Sequence, residues 1–224
     1  MLLRELGKAW GLLRGLPNTL LFNFRYFPLA KACRLPVLVS HRMKLVKLGG
    51  KVELANYQFG SVRLGPADVD VFPEGGRRGV WRVEGRVRLG DGVRIGPGSS
   101  IVCTGELDLG DNVLTNARVA IYCAKQIVIG RDALISWDAT IVDNDFHKLY
   151  DADHNWINPP APILIGERVW IGFGATIAKD TRLATGTVIG AGALVRGDFS
   201  DPNCVLSGNP ARLVRRGVTR DAAI

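Results

Sequence analysis

Residues 165–195 read IGERVWIGFGATIAKDTRLATGTVIGAGALV, and within this stretch an aliphatic residue stands at every sixth position. The same spacing, broken by a few longer steps, extends towards the N-terminus. The series comprises Leu89, Ile95, Ile101, Leu109, Thr115, Ile121, Ile129, Ile135, Ile141, Ile165, Ile171, Ile177, Leu183, Ile189 and Val195. A small or β-branched residue often follows four positions later. A short period kept over so many repeats predicts a solenoid.

Six residues per repeat suit a three-sided coil in which each hexapeptide forms one flat side. The aliphatic side chain then points inward, and the residue after it, often glycine, lies near a corner where the backbone dihedrals are demanding. Successive coils stack as parallel strands about 4.8 Å apart. The steps from Ile101 to Leu109 and from Ile121 to Ile129 are eight residues long, so one corner carries small bulges.

The step from Ile141 to Ile165 is twenty-four residues long, so we expect a loop over residues 143–164 to leave the solenoid at that same corner. This loop reads DNDFHKLYDADHNWINPPAPIL and holds two of the three histidines of the chain. Long loops in compact domains are usually functional or disordered. The loop is therefore the first place to look for chemistry.

The composition fits one domain with an appendage, since the chain has 224 residues and a hydrophobic share of 47%. We expect a helical N-terminal segment over 1–50, a solenoid over 51–207 and a tail with a short helix over 208–224. Residues 51–82, where Val62, Leu64 and Val71 give a ragged register, are interpreted as a first, irregular coil. No apolar run long enough for a membrane span and no signal-peptide pattern is present, which predicts a cytoplasmic protein.

The net charge of +8 belongs to the N-terminal segment, because residues 1–50 contain nine Lys and Arg and a single acid, Glu5. Apolar residues up to Leu13 recur at helical spacing, Pro17 and Asn18 are predicted to end that helix, and residues 19–40 are predicted to form a second helical stretch. Two interpretations stay open. The helices cap the solenoid or pack on a neighbouring subunit, or residues 1–45 make peripheral contact with a membrane. Nothing else in the chain supports nucleic-acid binding.

The four cysteines show no metal-ligand spacing, and no metal is predicted. Cys103 and Cys123 occupy the same repeat position one coil apart, so they are expected to lie side by side. We interpret the cysteines as reduced thiols that fill space.

Two stretches of the sequence resemble motifs of a known protein family. The run at 165–195, followed by SGNPARLVRR at 207–216, resembles the hexapeptide-repeat acyltransferases, and within them the galactoside and maltose O-acetyltransferase-like branch. Residues 19–40 are similar to a segment of members associated with capsule and surface-polysaccharide genes. The resemblance implies an all-β solenoid, namely a left-handed parallel β-helix. It also implies a homotrimer, with active sites in the grooves between adjacent solenoids and acetyl-CoA along each groove.

The resemblance implies that a histidine on the extruded loop is the general base, and the matching motif DNDFH at 143–147 gives that role to His147. A sugar hydroxyl is a poor nucleophile until a base takes its proton, and imidazole, with an ordinary pKa of about 6.5, suits that task. A carboxylate on the other ring nitrogen would fix the tautomer, and both Asp143 and Asp145 are candidates. Asn144 is expected to contact the acceptor, and His154 either does so or is a bystander.

The resemblance also implies the acyl pocket. The backbone N–H of Phe173, beside Gly172, would stabilise the oxyanion of the tetrahedral intermediate. Phe173 departs from the small residue that is usual there, which leaves the shape of the acyl pocket open. Trp170 would either flank the pantetheine arm or simply pack. The remaining residues expected to bind the cofactor are Gly190, Ala191 and Gly192 along the arm, and Arg196, Arg212 and Arg215 at the phosphates.

The predicted function is an acetyl-CoA-dependent O-acetyltransferase acting on a sugar of a surface polysaccharide or its precursor. No serine or cysteine in the loop is set up as a nucleophile, which favours direct transfer. The alternatives are N-acetyl transfer to an amino sugar and a non-enzymatic solenoid scaffold. A solenoid carbonic anhydrase is disfavoured, because its zinc needs three histidines.

Overall fold

The structure is a computed structural model that describes residues 2–65 and 77–221, without the side chains of residues 2–9. Two helices and twenty-one strands lie within the described ranges. In chain order they are α1 (Leu2–Tyr26), α2 (Leu29–Ala32), β1 (Val37–Val39), β2 (Met43–Leu48), β3 (Lys51–Leu54), β4 (Val62–Leu64), β5 (Gly79–Val83), β6 (Arg86–Leu89), β7 (Arg94–Ile95), β8 (Ser100–Cys103), β9 (Glu106–Leu109), β10 (Leu114–Thr115), β11 (Ala120–Cys123), β12 (Gln126–Ile129), β13 (Leu134–Ile135), β14 (Thr140–Val142), β15 (Ile163–Ile165), β16 (Trp170–Ile171), β17 (Thr176–Leu183), β18 (Val188–Ile189), β19 (Leu194–Phe199), β20 (Cys204–Gly208) and β21 (Ala211–Arg216).

The strands wind into a three-sided parallel solenoid. The first face stacks β1, β4, β7, β10, β13, β16, β18 and β20. The second face stacks β2, β5, β8, β11 and β14, and the third stacks β3, β6, β9, β12 and β15. Strand β17 bends around the corner between these two faces, since its start pairs with β14 and its end pairs with β15. The predicted left-handed parallel β-helix is confirmed.

The core follows the six-residue register. Ile101, Ile121, Ile141 and Ile177 are stacked partners on successive coils of the second face, and each is almost fully buried. Small residues such as Ala133 fill the narrow interior beside them. Burying one such aliphatic side chain stabilises the fold by roughly 1.5–3 kcal/mol, so the repeated column supplies most of the driving force. Cys103 and Cys123 lie side by side as predicted.

Helix α1 is continuous from Leu2 to Tyr26, so the prediction that Pro17 and Asn18 end it is wrong. Proline removes one helical N–H and crowds the preceding turn. Pro17 lies on the exposed side of α1, as does Leu13, whose carbonyl loses its helical donor. The opposite side of the helix is held by tertiary contacts, which outweigh the local cost. No helix within the described ranges is both long enough and apolar enough to cross a membrane.

Those contacts join α1 to the edge strand β1. The Asn23 amide donates to the Val37 carbonyl (2.7 Å) and accepts from the Val37 N–H (3.2 Å). The Thr19 hydroxyl accepts from the Val39 N–H (2.9 Å) and donates to the Val39 carbonyl (3.3 Å). An edge strand otherwise exposes unpaired backbone groups. The helix therefore caps the first coil, as one of the two interpretations of the N-terminus expects.

The solenoid begins earlier than predicted. Strands β1 and β2 lie inside the segment 1–50 that was expected to be helical, and β1 follows Pro36 directly. Proline and the β-branched valines of Val37–Val39 favour extended backbone, which explains the difference. Val62 and Leu64 point inward from β4 in the second coil, whereas Val71 lies outside the described residues.

The C-terminal helix predicted within 208–224 is also wrong. Residues Ala211–Arg216 form β21, which runs antiparallel to β20 and closes the first face. A six-residue helix is marginal on its own, because helix nucleation is unfavourable. The last parallel strand offers a row of unpaired backbone groups, so a strand satisfies more hydrogen bonds than a short helix would.

Candidate active site

The loop 143–164 leaves the corner between the second and third faces, after β14, and folds as a small hairpin. Tyr150 and Trp156 form an antiparallel bridge across it. At the tip, the Asp151 carboxylate accepts from the N–H groups of Asn155 (2.8 Å) and Asp153 (3.0 Å), and these bonds, with the Asn155 side chain, lower the pKa of Asp151. His154 lies at this tip, on the far side of the bridge from His147. The structure does not bring the two histidines together.

Asn158 organises the base of the loop. Its amide donates to the Asp145 carboxylate (2.8 Å) and to the His147 carbonyl (2.9 Å). Its side-chain oxygen accepts from the Leu149 backbone N–H (2.7 Å) and from the Trp156 indole (2.9 Å). All four hydrogen-bonding positions of this side chain are therefore used within the loop. Sequence reasoning missed Asn158, and the sequence offers no local signal for it.

Lys179 anchors the loop to the solenoid. Its ammonium, on a side chain only 9% exposed, donates to the Asp145 carboxylate (2.5 Å) and to the carbonyls of Asn158 (3.0 Å) and Pro159 (3.3 Å). Sequence reasoning missed Lys179 as well. A signal existed, because Lys179 falls two residues after a core aliphatic, at the position that Cys103 and Cys123 occupy in earlier coils.

The contact with Lys179 favours the ionised form of Asp145, so the stability of the folded loop depends on pH. The hydrogen bond from Lys179 lowers the pKa of Asp145 below its ordinary value. A lowered carboxyl pKa contributes stability that is complete above the unfolded-state pKa, about 3.9, and is lost as the pH falls through the folded-state pKa. We expect hydrogen-exchange protection of residues 145–159 to fall below about pH 4, before that of the solenoid strands. Lys179→Met should remove this protection at neutral pH, and equal protection of the variant and the wild type would contradict the anchor.

Asp143 has a structural role instead of the one expected. It is fully buried, and its two oxygens accept from the N–H groups of Ala124 (2.7 Å), Lys125 (2.7 Å) and Gln126 (2.9 Å) in the preceding coil. Asn144 also donates to it (3.1 Å). This carboxylate is committed to a corner of the solenoid, so the expectation that Asp143 orients His147 is wrong.

Asp143→Asn tests that structural role. The new amide would point donor hydrogens at backbone donors, which leaves buried groups unsatisfied at a cost of about 1–3 kcal/mol. For a chain of this size we expect a drop of several degrees in Tm, measured by thermal unfolding. Asp153→Asn, exposed at the loop tip, is the matched control and should leave Tm unchanged. An unchanged Tm for Asp143→Asn would contradict the assignment.

His147 is exposed on a fixed backbone. Its backbone N–H donates to the Asp145 backbone carbonyl (2.7 Å), and its backbone carbonyl accepts from the Asn158 side chain. The neighbouring Phe146 ring packs edge-on against Tyr122 (5.3 Å between centroids). Within the described ranges, no group hydrogen-bonds to the imidazole. Neither predicted aspartate hydrogen-bonds to the ring. The Asn144 side chain also makes its hydrogen bonds within the loop, because its oxygen accepts from the Phe146 backbone N–H (3.0 Å).

The predicted acyl-pocket residues meet at a different corner, between the first and second faces. Gly172 and Phe173 follow β16, and residues 190–192 follow β18 one coil later. The Gly192 N–H donates to the Phe173 carbonyl (2.9 Å). A Cβ on Gly172 would lie 2.6 Å from the Ile189 carbonyl oxygen, so only glycine fits there. No described residue accepts a hydrogen bond from the Phe173 N–H.

An aromatic pair marks this corner. The Phe173 ring stacks on Trp137, which holds the same corner position one coil earlier, with centroids 5.4 Å apart and ring planes 7° from parallel. Phe173 is 51% exposed and Trp137 is 37% exposed. Sequence reasoning missed Trp137, although the six-residue register places it directly below Phe173. The pair forms a flat apolar wall beside the unpaired N–H.

The predicted cofactor residues divide between two faces. Trp170 is half-exposed on the first face, where its indole donates to the Ser136 hydroxyl (3.1 Å). A bulge in the β20–β21 pair brings Arg212 and Arg215 to the outer side of this face, opposite Ser207 and Val205. Register then gives an outer row that runs from Trp170 through Val188 and Val205 to Arg215.

Arg196 does not belong to that row. It lies on β19 beside the loop, where its charge contributes to the lowered pKa of Asp145. Within one chain the three predicted arginines therefore do not form one cluster. No set of three His, Cys, Asp or Glu residues in the described part of the chain could hold a metal ion.

Comparison with known proteins gives consistent matches. Residues 162–197 match the family described as bacterial transferase hexapeptide (six repeats). The chain is 29% identical over 147 residues to a putative lipopolysaccharide biosynthesis O-acetyl transferase, WbbJ, of Escherichia coli, covering 60% of this chain and 74% of that protein. It is 30% identical over 131 residues to a putative colanic acid biosynthesis acetyltransferase, WcaF, of Escherichia coli, covering 58% of this chain and 70% of that protein.

A solved structure shares the fold. AntD, an N-acyltransferase from Bacillus cereus in complex with dTDP and 3-hydroxybutyryl-CoA, matches with a TM-score of 0.51 and 14% identity, over 86% of this chain and 89% of that chain. At this identity the likeness supports the solenoid fold alone.

Proposed function

The chain belongs to the hexapeptide-repeat transferase family and is an acyltransferase, and from this premise we propose that it transfers an acetyl group from acetyl-CoA to a sugar hydroxyl. The sugar belongs to a surface polysaccharide or to its lipid-linked or nucleotide-linked precursor. The names of WbbJ and WcaF, which refer to lipopolysaccharide and colanic acid biosynthesis, support that substrate class. Because acetyl-CoA is an intracellular metabolite, the proposed reaction takes place in the cytoplasm.

The observation that carries the proposal is the pair of complementary groups at two corners of the solenoid. One corner presents the His147 imidazole, and the other presents the unpaired Phe173 N–H. In the proposed reaction, the imidazole takes the hydroxyl proton as the sugar oxygen attacks the thioester carbonyl. The Phe173 N–H stabilises the oxyanion of the tetrahedral intermediate. The C–S bond then breaks, and the imidazolium returns its proton to the departing CoA sulfur.

These groups lie at different corners of one chain, so the complete site requires a second copy. The outer rows of the faces favour such an assembly. The third face carries ion pairs such as Arg86–Glu53 (2.7 Å) and Arg182–Asp198 (3.7 Å), which suit solvent. On the other two faces the outer rows contain arginines near the N-terminal end, Arg63 and Arg94 on the first and Arg82 on the second, and are apolar in the following coils. These apolar residues are Leu114, Leu134, Trp170, Val188 and Val205 on the first face and Val102, Tyr122, Val142 and Ala178 on the second.

We therefore place the active site in the groove between two solenoids of a homotrimer, with His147 from one copy and the Phe173 corner from the next. The row from Trp170 to Arg215 crosses three strand spacings, about 14 Å at 4.8 Å each. The pantetheine arm follows this row, with its thioester at Phe173 and its phosphates at Arg215 and Arg212. Arg196, on the second face, reaches the same groove from the neighbouring copy.

A thiol-release assay with acetyl-CoA tests the reaction over free sugars, nucleotide sugars and lipid-linked oligosaccharides. We expect turnover with a hydroxyl acceptor and an ester product that mild alkali removes. An alkali-stable amide formed only with amino sugars would establish N-transfer instead. If CoA and acetyl-CoA neither raise Tm nor turn over with any acceptor, the chain is a scaffold and the proposed reaction is wrong.

A further inference from the structure

The outward side of α1 is apolar along its described length. The residues of α1 that face the solenoid are buried, and they are Gly15, Thr19, Phe22 and Asn23. At 3.6 residues per turn, the opposite half of the helix carries six large apolar side chains that share one surface. This surface, called here the outer face of α1, comprises Trp10 (63% exposed), Leu13 (63%), Leu16 (42%), Leu20 (39%), Leu21 (54%) and Phe24 (48%).

An exposed surface of this kind calls for a partner. Single apolar side chains are normal on protein surfaces, whereas a contiguous apolar patch usually marks an interaction site. The hydrogen bonds between α1 and β1 come from Thr19 and Asn23 on the other side of the helix, and these six side chains take no part in them. Their apolar character is thus not explained by the capping of the solenoid.

Positive charge borders the outer face. Arg14 and Arg25 project from α1 at one flank of the apolar surface, by helical geometry. Residues 10–50 contain seven Lys and Arg and no Asp or Glu. The charge is local, because the chain outside residues 1–50 balances its acids and bases.

The apolar surface and the positive charge beside it together indicate which kind of partner binds the outer face of α1. If two copies met through the same face, they would bring two basic, acid-free segments together, which like-charge repulsion disfavours. An anionic bilayer accepts both features, since the apolar side chains enter the boundary of the acyl region while Lys and Arg meet the headgroups. Trp10 and Phe24 are residue types that favour this interfacial depth. We propose that the outer face of α1 binds the surface of an anionic phospholipid membrane.

The proposal fixes the orientation of the solenoid. Thr19 and Asn23 clamp α1 to β1 at the first coil, so the solenoid stands with its N-terminal end towards the bilayer. The loop 143–164 leaves after β14 in the fifth coil, four strand spacings or about 19 Å beyond β1. If the proposed sugar acetylation is correct, a site at this height suits a glycan that extends from the membrane. The binding itself does not depend on the reaction.

Co-sedimentation of the full chain with vesicles tests the proposal. Vesicles of phosphatidylcholine alone and of phosphatidylcholine with phosphatidylglycerol are compared at low and high salt. We expect binding to the phosphatidylglycerol vesicles that weakens with salt and is far lower on phosphatidylcholine alone. The triple substitution Leu13→Gln/Leu20→Gln/Phe24→Gln should lower the bound fraction at least tenfold. Arg14→Gln/Arg25→Gln should lower it less and reduce its salt dependence.

Two controls separate membrane binding from general effects. Phe59→Gln/Val214→Gln removes side chains that are 68% and 62% exposed but lie off the outer face, and it should bind as the wild type does. Light scattering reports the oligomeric mass of every variant. The proposal is wrong if the wild type stays in the supernatant with phosphatidylglycerol vesicles, or if the triple substitution leaves binding unchanged. A loss of oligomeric mass in the triple variant would identify the outer face as a subunit contact and would also overturn it. Because no acetyl transfer is measured, these outcomes are independent of the proposed reaction.

Discussion

We expect His147→Ala to lower kcat by about 10²–10⁴-fold, the usual contribution of a general base, and to leave the solenoid and its assembly intact. The imidazole makes no hydrogen bond to another described residue, so its removal costs little stability. The loop backbone remains fixed by Asn158 and Lys179. Steady-state thiol release measures the effect, with circular dichroism and light scattering as checks on the fold and the assembly.

His154→Ala is the matched comparison, because it removes an imidazole from the same loop at the tip. We expect kcat to stay within a few-fold of the wild type. A His154→Ala variant as impaired as His147→Ala would assign the base to the wrong histidine. Full activity in His147→Ala would remove the proposed mechanism.

We expect Phe173→Pro to lower kcat by about 10²–10³-fold, the usual effect of losing one oxyanion donor. Proline deletes the N–H without opening the corner, since the chain already uses this geometry. Pro97 occupies the equivalent position two residues after Ile95, between Gly96 and Gly98, as Phe173 lies between Gly172 and Gly174.

Phe173→Ala separates the backbone from the side chain. It retains the N–H but removes the ring that stacks on Trp137. We expect Phe173→Ala to keep most of kcat for acetyl-CoA and to change the preference among acyl-CoA chain lengths. Equal loss of kcat in the proline and alanine variants would show that the ring, and not the N–H, carries the effect.

The repeat in the sequence is sufficient to predict the solenoid. Its period is set by the geometry of one side of a coil, and each aliphatic residue of the repeat is buried in the core. The ends follow other rules. Pro17 is tolerated in α1 because Thr19 and Asn23 hold the opposite side of the helix. Residues 211–216 become a strand because β20 presents an unpaired edge. Both outcomes depend on tertiary partners that a local pattern does not contain.

The predicted site residues come from the family resemblance, and their catalytic roles stay predictions. The structure brings Gly172, Phe173 and residues 190–192 to one corner and places His147 at another. The sequence alone treats Asp143 and Asp145 as equivalent, and burial separates them, since Asp143 binds three backbone N–H groups of the preceding coil. Asn158 joins the two ends of the loop, and Lys179 joins the loop to β17. Both roles arise from contacts between residues that are distant in sequence.

We propose that each active site combines the loop of one copy with the corner of another. Co-expression of His147→Ala and Phe173→Pro chains with different affinity tags, followed by purification through both tags, tests it directly. Purification through both tags retains only mixed trimers, and each mixed trimer has an intact loop beside an intact corner in one of its three grooves. We therefore predict recovery of up to about a third of the wild-type kcat from two inactive chains. Mixed assemblies as inactive as either parent would show that both groups act within one chain, and would contradict the claim.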